Sequence, residues 1–517
     1  MTRFLTATAA LALTAGTAHA DFTLTILHTN DFHDRFEPIN QFDSTCGAED
    51  NAAGECFGGI ARLATAIEAA RDGATNPILI DAGDQYQGSL LYTQYKGAMS
   101  AEFMPQLGYQ VMAVGNHEFD DGPAGLVNLL DGVEFPVLSA NIDVSQEPAL
   151  ADRIGKSTVL DVAGEKIGIV SVLAEDTPET SSPGPNVIFS PIVDAAQAQI
   201  DALTEEGVTK IVLLTHVGLP ADRRLAEELT GVDIIVGGHS HTLLGDMEGA
   251  VDSYPVMVND VPIVQAYAYG KYLGEIVVTF DDEGQVVSAE GAPILLDASV
   301  AEDEAMVARV KELSAPLEEL RAKVVAQTDQ PIGGEREVCR AQVCEMGVLI
   351  ADAMLARVAD QGIEVAIQNG GGIRASIDAG EVTMGEVLTV LPFQNTLSTF
   401  RVDGATLLAA LENGVSQVEE GAGRFPQVSG MSFAFDASQP AGSRVSDVMV
   451  GGAPLDEAKT YGVVSNNYVR NGGDGYAMFV DAADAYDFGP DLADVTAEYL
   501  AENGPYTPVT DERITVK

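Results

Sequence analysis

The hexapeptide GNHEFD, residues 115–120, directly follows the apolar run YQVMAV, residues 109–114. The apolar run predicts a short buried strand, and the hexapeptide predicts the turn that leaves it. Open α/β sheets bind their ligands at such strand ends, although chains also simply turn and expose polar groups there. The other polar segments of the chain decide between these two interpretations.

The same pattern of an apolar run followed by polar residues recurs through the first half of the chain. The segment GGIARLATAIEAARDG, residues 58–73, has the spacing of an amphipathic helix. The further apolar runs are LTILHTND at 24–31, PILIDAGD at 77–84, KIGIVSVL at 166–173, KIVLLTHVG at 210–218 and VDIIVGGHSH at 232–241. Strands that alternate with helices predict a layered α/β domain over residues 21–300.

Residues 301–326 differ from both flanking regions because they are charged, helical in period and free of glycine. They predict a linker helix with a break near Pro316. A second domain, with its own mixture of helices and strands, is expected over residues 327–517.

The first twenty residues, MTRFLTATAALALTAGTAHA, contain one Arg, then an apolar stretch, then the small-residue sequence AHA. This pattern predicts a secretory signal peptide that is cleaved after Ala20, with a buried N-terminal helix as the alternative. No later segment has the roughly 18 apolar residues that a membrane span needs. We therefore expect a periplasmic or secreted protein with no membrane partner.

The chain is strongly acidic, with a formal net charge of −51. Such a surface repels nucleic acid polymers and anionic membranes, so we expect neither as a partner. Adaptation to a salty medium, which screens self-repulsion, is another cause of this composition. A small anionic substrate stays compatible with it if metals or Arg side chains create a local positive site. Nothing in the sequence selects between a monomer and a homodimer.

Four cysteines form two local pairs that are far apart in the chain. Export makes disulfides plausible, and three connectivities are possible. The pairs that close the shortest loops, and that we predict, are Cys46–Cys56 and Cys339–Cys344. A four-cysteine zinc site is the alternative, but these spacings are not of the CxxC type.

Histidines are confined to the first domain once residues 1–20 are set aside. Five of the six lie at or just beyond the ends of predicted strands, beside Asp, Asn or Gly, which core packing does not explain. Together with neighbouring polar residues they suit a two-metal site, whose candidate ligands are Asp31, His33, Asp84, Asn116, His216, His239 and His241. Asp31 and His33 are alternate residues, so a small twist of an extended segment would let them converge.

A pair of divalent cations about 3.5–4 Å apart can activate a water and hold both oxygens of an in-line displacement at phosphorus. Mixed imidazole and carboxylate ligands suit Zn, Mn, Fe or Co without selecting among them. In GNHEFD, Asn116 would then bind metal while a protonated His117 stabilises charge on the phosphoryl oxygens and leaving group. Asp120 can hold the other nitrogen of His117. For Glu118 we expect a solvated or helix-capping carboxylate.

The second domain contains four segments that suit a nucleotide. They supply two guanidinium groups that can pair with phosphate, two aromatic rings that can stack on a base, and one carboxylate that can accept ribose hydroxyls. The segments are VCRAQVCEMG at 338–347, QNGGGIRAS at 368–376, LPFQNT at 391–396 and SNNYVRNGGDGY at 465–476. The residues concerned are Arg340, Arg374, Phe393, Tyr468 and Asp474.

These motifs resemble the metallophosphatase superfamily and, within it, the 5′-nucleotidase family. The stretches that carry the resemblance in the first domain are ILHTNDFHDRFEP at 26–38, DAGDQYQGS at 81–89, GNHEFD, LLTHVG at 213–218 and GGHSHT at 237–242. The resemblance implies a β-sandwich flanked by helices, a linker helix and a C-terminal α+β nucleotide-binding domain. It implies one metal on Asp31, His33, Asp84 and His241, and the other on Asp84, Asn116, His216 and His239.

This chain departs from several members of the family at His241, where they have Asn or Gln, which leaves the metal open among Zn, Mn and Co. His28 belongs to the family pattern without being a ligand, so we interpret it as structural. The four segments of the second domain resemble the family's C-terminal domain. There the counterparts of Arg340 and Arg374 bind phosphate, those of Phe393 and Tyr468 stack on the base, that of Asp474 binds ribose and that of Asn369 approaches the base.

Tyr468 replaces the more usual Phe of the family, and the cysteine positions are similar to those of the animal ecto-5′-nucleotidase. The resemblance implies an exported two-metal hydrolase that releases phosphate from nucleoside 5′-monophosphates through attack by a metal-bound water. A UDP-sugar hydrolase and a 2′,3′-cyclic-nucleotide phosphodiesterase are the alternatives on the same scaffold. A sulfur-oxidation thiohydrolase would not need the two aromatic rings, and a noncatalytic nucleotide-binding protein would not need the complete ligand set with His117 and Asp120.

Overall fold

The computed structural model describes residues 21–40, 43, 46–393, 395–487 and 489–517. The expected signal peptide, residues 1–20, lies outside the described residues. The strands of the first domain are β1 Phe22–Thr29, β2 Pro77–Asp81, β3 Val111–Ala113, β4 Val137–Leu138, β5 Ile142–Asp143, β6 Ser157–Val162, β7 Glu165–Leu173, β8 Ile188–Phe189, β9 Lys210–His216, β10 Ile234–Val236, β11 Val256–Val258, β12 Val261–Val264, β13 Tyr272–Phe280 and β14 Val286–Leu295.

Two six-stranded sheets form the centre of the first domain. One has the order β14-β13-β1-β2-β3-β4 and the other β11-β12-β10-β9-β7-β6. Strands β1 to β4 are parallel to one another, as are β7, β9, β10 and β12. Parallel strands end at the same edge of their sheet, so the polar residues that follow them are brought together.

The two sheets pack face to face, and helices cover their outer faces. Leu24 and Ile26 of β1 point into the core between the sheets, while Leu27 points into the core beneath the helices. This alternation of faces explains why the strands are apolar almost throughout. The helices are α1 Ala48–Ala53, α2 Ile60–Gly73, α3 Leu90–Tyr95, α4 Ala98–Leu107, α5 Gly122–Gly132, α6 Thr177–Thr180, α7 Ile192–Glu205 and α8 Leu219–Glu228. The expected β-sandwich flanked by helices is confirmed.

The linker region begins with α9, Glu304–Ser314, continues through a 3₁₀ turn at Ala315–Leu317 and ends with α10, Glu318–Arg321. The helix therefore breaks at Pro316, where the sequence predicts a break. Helix α9 packs on α2, and Arg309 forms a two-point ion pair with Glu102, at 2.7 and 3.0 Å. The residues after Lys323 already belong to a strand of the second domain.

The second domain is α+β, as expected. Its strands are β15 Val324–Thr328, β16 Val365–Asn369, β17 Gly380–Thr383, β18 Leu397–Asp403, β19 Pro426–Ser429, β20 Met431–Phe435, β21 Val445–Val450, β22 Ala453–Pro454, β23 Thr460–Asn466, β24 Ala483–Tyr486 and β25 Ile514–Val516. Its helices are α11 Arg336–Cys339, α12 Glu345–Arg357, α13 Met384–Val390, α14 Gly404–Gly414, α15 Asn467–Arg470 and α16 Leu492–Glu502. A five-stranded sheet, β19-β16-β23-β18-β24, separates two hydrophobic cores.

Both local cysteine pairs are disulfide-bonded, Cys46 to Cys56 and Cys339 to Cys344. The second bridge closes the turn between α11 and α12, and this turn carries Arg340. Among the described residues, no helix is long and apolar enough to cross a membrane.

Candidate functional site

The carboxyl ends of five sandwich strands meet at one place. Asp31 follows β1, Asp84 follows β2 and Asn116 follows β3. His216 is the last residue of β9, and His239 and His241 follow β10. All of these side chains are buried or nearly so, and their carboxylate, amide and imidazole atoms form two adjoining groups.

The backbone at these positions is left-handed. Asp31 and His33 have φ of 51° and 52°, so the expected slight twist of an extended segment is wrong. The backbone N–H groups of the two residues donate to the carbonyls of Gly83 and Asp84, at 2.9 and 3.0 Å, which holds this conformation. Positive φ is uncommon outside glycine and clusters at functional sites. The other candidate ligands with this conformation are Asp84, His239 and His241.

The first group contains Asp31, His33, Asp84 and His241. His241 Nε2 lies 3.3 Å from Asp31 Oδ1 and 2.9 Å from His33 Nε2. His33 Nε2 lies 3.8 Å from Asp84 Oδ2. One carboxylate oxygen and two imidazole nitrogens, from Asp31, His33 and His241, lie within 4.8 Å of one another, and this is a donor set that a divalent cation can bind.

The second group shares Asp84 with the first. Asp84 Oδ2 lies 3.1 Å from His216 Nε2. Asn116 Oδ1 lies 3.2 Å from His216 Nε2 and 2.8 Å from His239 Nδ1. One carboxylate that faces both groups is the arrangement in which a bridging ligand joins two metals.

Backbone carbonyls orient two of the imidazoles. His33 Nδ1 lies 3.0 Å from the carbonyls of both Tyr86 and Gln87, and His216 Nδ1 lies 2.7 Å from that of Ala82. A carbonyl only accepts, so Nδ1 carries a proton in both rings, and Nε2 is the nitrogen that faces the site. Such contacts around a metal site fix the tautomer and the orientation of the ligand.

Burial disfavours charge throughout this cluster. It raises the pKa of Asp31 to about 6. Burial also opposes the charge of His216, but Asp84 and Asp31 outweigh it and raise the pKa of His216 to about 10. Buried carboxylates of this kind are stabilised by a cation, which is consistent with a metal site.

Glu118 is neither solvated nor a helix cap, so our expectation for this residue is wrong. Its side chain is fully buried. The carboxylate accepts four backbone N–H groups, from Gly115 at 2.7 Å, Asp84 at 3.0 Å, Gln85 at 2.8 Å and Tyr86 at 3.2 Å. It thereby ties the loop that contains Asp84 to the loop that contains Asn116. Four donors from separate loops meet only in the folded chain, which is why the sequence offers no indication of this role.

His117 and Asp120 form a largely buried pair. His117 Nδ1 lies 2.6 Å from Asp120 Oδ2. The other oxygen of Asp120 accepts the Ser181 hydroxyl at 2.7 Å, and Gln87 donates to Oδ2 at 3.2 Å. Burial alone would lower the pKa of His117, but Asp120 and Asp84 outweigh it and raise this pKa above its usual value. The geometry thus favours a protonated imidazole whose Nε2 remains available.

His28 lies away from the cluster, within β1. It is fully buried, its Nε2 lies 2.8 Å from the Tyr254 hydroxyl, and burial lowers its pKa to about 3. This is consistent with a neutral, structural histidine.

The second domain approaches the cluster with its arginines. Arg374 Nη2 donates to His33 Nε2 at 3.1 Å, and its guanidinium lies 5.6 Å from the centroid of the Phe393 ring. The Phe393 ring is in turn stacked beside His117, with centroids 5.8 Å apart. Arg340 donates to the carbonyl of Gly421 at 3.2 Å. The contacts of Arg374 and Phe393 with His33 and His117 bring the two domains together at the cluster.

Arg336 is a site residue that our sequence analysis did not identify. Its Nη2 donates to the carbonyl of His239 at 3.1 Å, and it lines the same cavity as Arg340 and Arg374. Burial and mutual repulsion lower the pKa of Arg336 and of Arg340, as expected for cations gathered in an anion-binding site. Arg336 lies four residues before Arg340 and next to the Cys339–Cys344 loop, and this spacing is the signal in the sequence that could have indicated Arg336.

One cavity of about 820 Å³ joins the two domains. It is lined on one side by Asp84, Asn116, His117, His239 and His241 and on the other by Arg336, Arg340, Arg374, Phe393, Tyr468 and Asp474. The structure therefore brings both sets of candidate residues to one place.

Asn369 and Asp474 lie in a buried polar network beside this cavity. Asn369 Nδ2 donates to Asp474 Oδ2 at 2.6 Å, and its own Oδ1 accepts from Asn466 at 2.9 Å. With both ends of its amide engaged, Asn369 is placed to orient Asp474.

Comparison with known proteins agrees with this geometry. Residues 24–243 match the family model for calcineurin-like phosphoesterases, and residues 324–481 match the model for the 5′-nucleotidase C-terminal domain. The fold and site therefore define a metallophosphatase, a class that uses divalent metals, and the His and Asp clusters described above can bind them.

A 5′-nucleotidase of Diplobatis ommata is 40% identical, and the match covers 96% of this chain and 90% of that protein. The 5′-nucleotidase of Homo sapiens is 38% identical, with 95% of this chain and 90% of the relative covered. The crystal structure of a 5′-nucleotidase precursor from Thermus thermophilus superposes with a TM-score of 0.90 at 42% identity, over 96% of this chain and 99% of that one. The chain belongs to the 5′-nucleotidase family, and it is a hydrolase that acts as a 5′-nucleotidase.

Proposed function

We propose that the protein releases phosphate from nucleoside 5′-monophosphates with two divalent cations, Zn, Mn or Co. The observation that carries this proposal is the shared cavity, in which metal-ligating atoms face arginines, aromatic rings and a carboxylate from the other domain. A phosphate ester at the ligand clusters would extend toward Phe393, Tyr468 and Asp474. The Diplobatis ommata and Homo sapiens relatives named above support the same activity.

The two ligand groups would each hold one cation, with Asp84 shared. The first cation would be held by Asp31, His33, Asp84 and His241, and the second by Asp84, Asn116, His216 and His239. When bound, the cations would supply an activated water and neutralise charge on the phosphoryl group. The carbonyls that fix His33 and His216 would keep their Nε2 atoms aimed at these positions.

His117 is proposed to stabilise the phosphoryl oxygens and the departing nucleoside oxygen. Its Nδ1 is held by Asp120, so Nε2 is the nitrogen that can donate a proton to the substrate. The neighbouring carboxylates favour the charged imidazole. Asp120 positions the ring and is itself held by Ser181 and Gln87.

The second domain is proposed to select the substrate. Arg340 and Arg374 would pair with the phosphate, because a guanidinium matches two oxygens of a phosphoryl group. Phe393 and Tyr468 would stack on the base, and Asp474 would accept the ribose hydroxyls. Asn369 would approach the base and also orient Asp474.

The test is product release from AMP, UMP, ADP, UDP-glucose, cyclic AMP and thiosulfate esters by protein loaded with defined metals, with the product of each substrate identified. We expect the highest kcat/KM on a nucleoside 5′-monophosphate. A protein that released nothing from any monophosphate, but turned over another ester in the panel, would overturn the proposal.

UDP-sugar hydrolysis is a second candidate because a further arginine joins the two that are proposed to bind phosphate. Arg336 lies beside Arg340 and Arg374, and three guanidiniums can neutralise more charge than one monophosphate carries. Comparable kcat/KM values for UDP-glucose and UMP would support this activity.

We also propose that the protein is exported and acts in the periplasm or outside the cell, as a monomer or homodimer. The composition of residues 1–20 and the two disulfides support export. N-terminal sequencing of the exported protein should begin at Asp21, and light scattering would give its oligomeric state.

A further inference from the structure

Tyr468 contacts Asp474 through its hydroxyl group as well as presenting a ring to the cavity. The hydroxyl donates to Asp474 Oδ1 at 3.3 Å and accepts the backbone N–H of Asp474 at 3.2 Å. A phenylalanine, which is more usual in the family pattern at this position, could make neither contact.

Asp474 needs such support because its backbone is left-handed, with φ of 53°. Asn413 donates to its carbonyl at 3.0 Å, and Asn369 donates to its Oδ2 at 2.6 Å. The Tyr468 hydroxyl contacts the other carboxylate oxygen, Oδ1. Each carboxylate oxygen keeps a further lone pair for a ligand.

The ring of Tyr468 is fixed against the same turn. A Cβ atom on Gly473 would lie 2.5 to 2.6 Å from three ring carbons, so the ring packs directly on this glycine. Burial raises the pKa of Tyr468 well above its usual value, which keeps the hydroxyl protonated and able to donate. Ring, hydroxyl and carboxylate thus form one rigid unit.

We propose that the Tyr468 hydroxyl holds the Asp474 carboxylate in the orientation that accepts both hydroxyls of a ribose, and so increases discrimination against 2′-deoxyribonucleotides. This inference rests on the proposed function, in which Asp474 binds ribose. A carboxylate oxygen that is free to rotate would still accept a single 3′-hydroxyl, but it would lose the fixed geometry that two adjacent hydroxyls require.

The experiment compares kcat/KM for AMP and 2′-deoxy-AMP in the wild type and in Tyr468→Phe. The substitution keeps the stacking ring and removes only the hydroxyl. We expect the AMP to deoxy-AMP ratio to fall roughly three- to tenfold, the range for one ordinary hydrogen bond, because the 3.3 Å contact is too long for a strong charge-assisted one. Turnover of 2′-deoxy-AMP should stay near the wild-type value, which a general loss of folding or stacking would not allow.

Tyr461→Phe is the matched control. The Tyr461 hydroxyl also accepts the backbone N–H of an Asp, Asp456 at 2.9 Å, but it lies outside the cavity. Its removal should leave the ratio unchanged.

Asp474→Asn separates the inference from the proposed function. If Asp474→Asn collapses the ratio while Tyr468→Phe preserves it, Asp474 binds ribose and the role of the hydroxyl is overturned. If neither variant changes the ratio, ribose binding by Asp474 fails together with the inference. If the wild type does not hydrolyse AMP, the proposed function fails. The inference would then be tested by the ratio of the calorimetric affinities for adenosine and 2′-deoxyadenosine in the same variants.

Discussion

The two sides of the cavity are built in different ways. On the side of the first domain, short side chains are aimed by the backbone, which adopts left-handed φ at five candidate ligands and is tied by Glu118. On the side of the second domain, long arginines and aromatic rings reach into the cavity from turns. The two sides touch where Arg374 donates to His33, at 3.1 Å.

Because the two sides are built differently, metal binding and substrate binding have different structural requirements. All candidate metal ligands come from one domain, so metal binding should not depend on how the domains are arranged. Substrate binding needs both domains at once, and polar contacts hold them together. Asn40 donates to Asp378 at 3.0 Å and Arg336 to His239, while the linker residue Arg321 pairs with Glu37 at 2.6 Å. We therefore expect changes at the metal ligands, or at the residues that orient them, to alter metal content, and changes on the side of the second domain to alter nucleotide turnover alone.

Removal of the metals should have the largest effect. Stripping with a chelator should abolish phosphate release, and Mn, Co or Zn should restore it, because the proposed cations supply the activated water. Circular dichroism should show that the stripped protein remains folded. Full activity in exhaustively stripped protein would show that the ligand clusters are not the catalytic centre.

His117→Ala should lower kcat by roughly two to four orders of magnitude, the range for a positioned proton donor. Metal content, measured by elemental analysis, should remain that of the wild type because Nδ1 is engaged by Asp120. His117 also lies within 4.8 Å of donor atoms of His33 and Asp84. Loss of metal in the variant would therefore make His117 a ligand and contradict its proposed role.

Arg374→Ala tests the other side of the cavity. It should reduce kcat/KM for AMP by roughly ten- to a hundredfold, as for loss of a charge-assisted hydrogen bond, and leave metal content unchanged. Arg401→Ala is the control, since Arg401 forms a loose pair with Asp484 at 3.7 Å, away from the cavity. Equal effects of the two substitutions would indicate a general loss of charge and no specific phosphate contact.

Glu118→Gln should weaken metal binding by about tenfold, the lower end of the range for residues that orient metal ligands. The amide replaces one acceptor oxygen of Glu118 by an NH₂ donor. This donor would face the backbone N–H groups of the Asp84 and Asn116 loops, so the hydrogen bonds to that oxygen would be lost. Calorimetric titration with Mn measures the change, with the exposed Glu134→Gln as control. Unaltered affinity in Glu118→Gln would mean that the two loops hold their positions without this carboxylate.

Much of this arrangement could be predicted from the sequence because its patterns are local. Asp84 follows an apolar run within a few residues, and parallel strands bring such ends to one edge whatever the details of packing. The cysteine pairs could be predicted for the same reason, since short loops favour local bridges. The break at Pro316 followed from the missing N–H of proline.

Other features depend on residues that are far apart in the chain. Nothing near Glu118 indicates that Asp84, Gln85 and Tyr86 will offer it three N–H groups, and the left-handed turn at His33 is set by the carbonyl of Asp84. Arg336 is a site residue only because a second domain closes on His239.

The amino-acid sequence by itself thus determined the layered catalytic domain, the α+β second domain and the kinds of side chain available for chemistry. Periodicity and strand-end composition are local properties, carried by each element and the few residues that flank it. The tertiary structure alone decided which backbone conformations aim the ligands, which carboxylate ties their loops together and how the Tyr468 hydroxyl meets Asp474. These depend on hydrogen bonds whose partners become neighbours only when the sheets have stacked and the two domains have met.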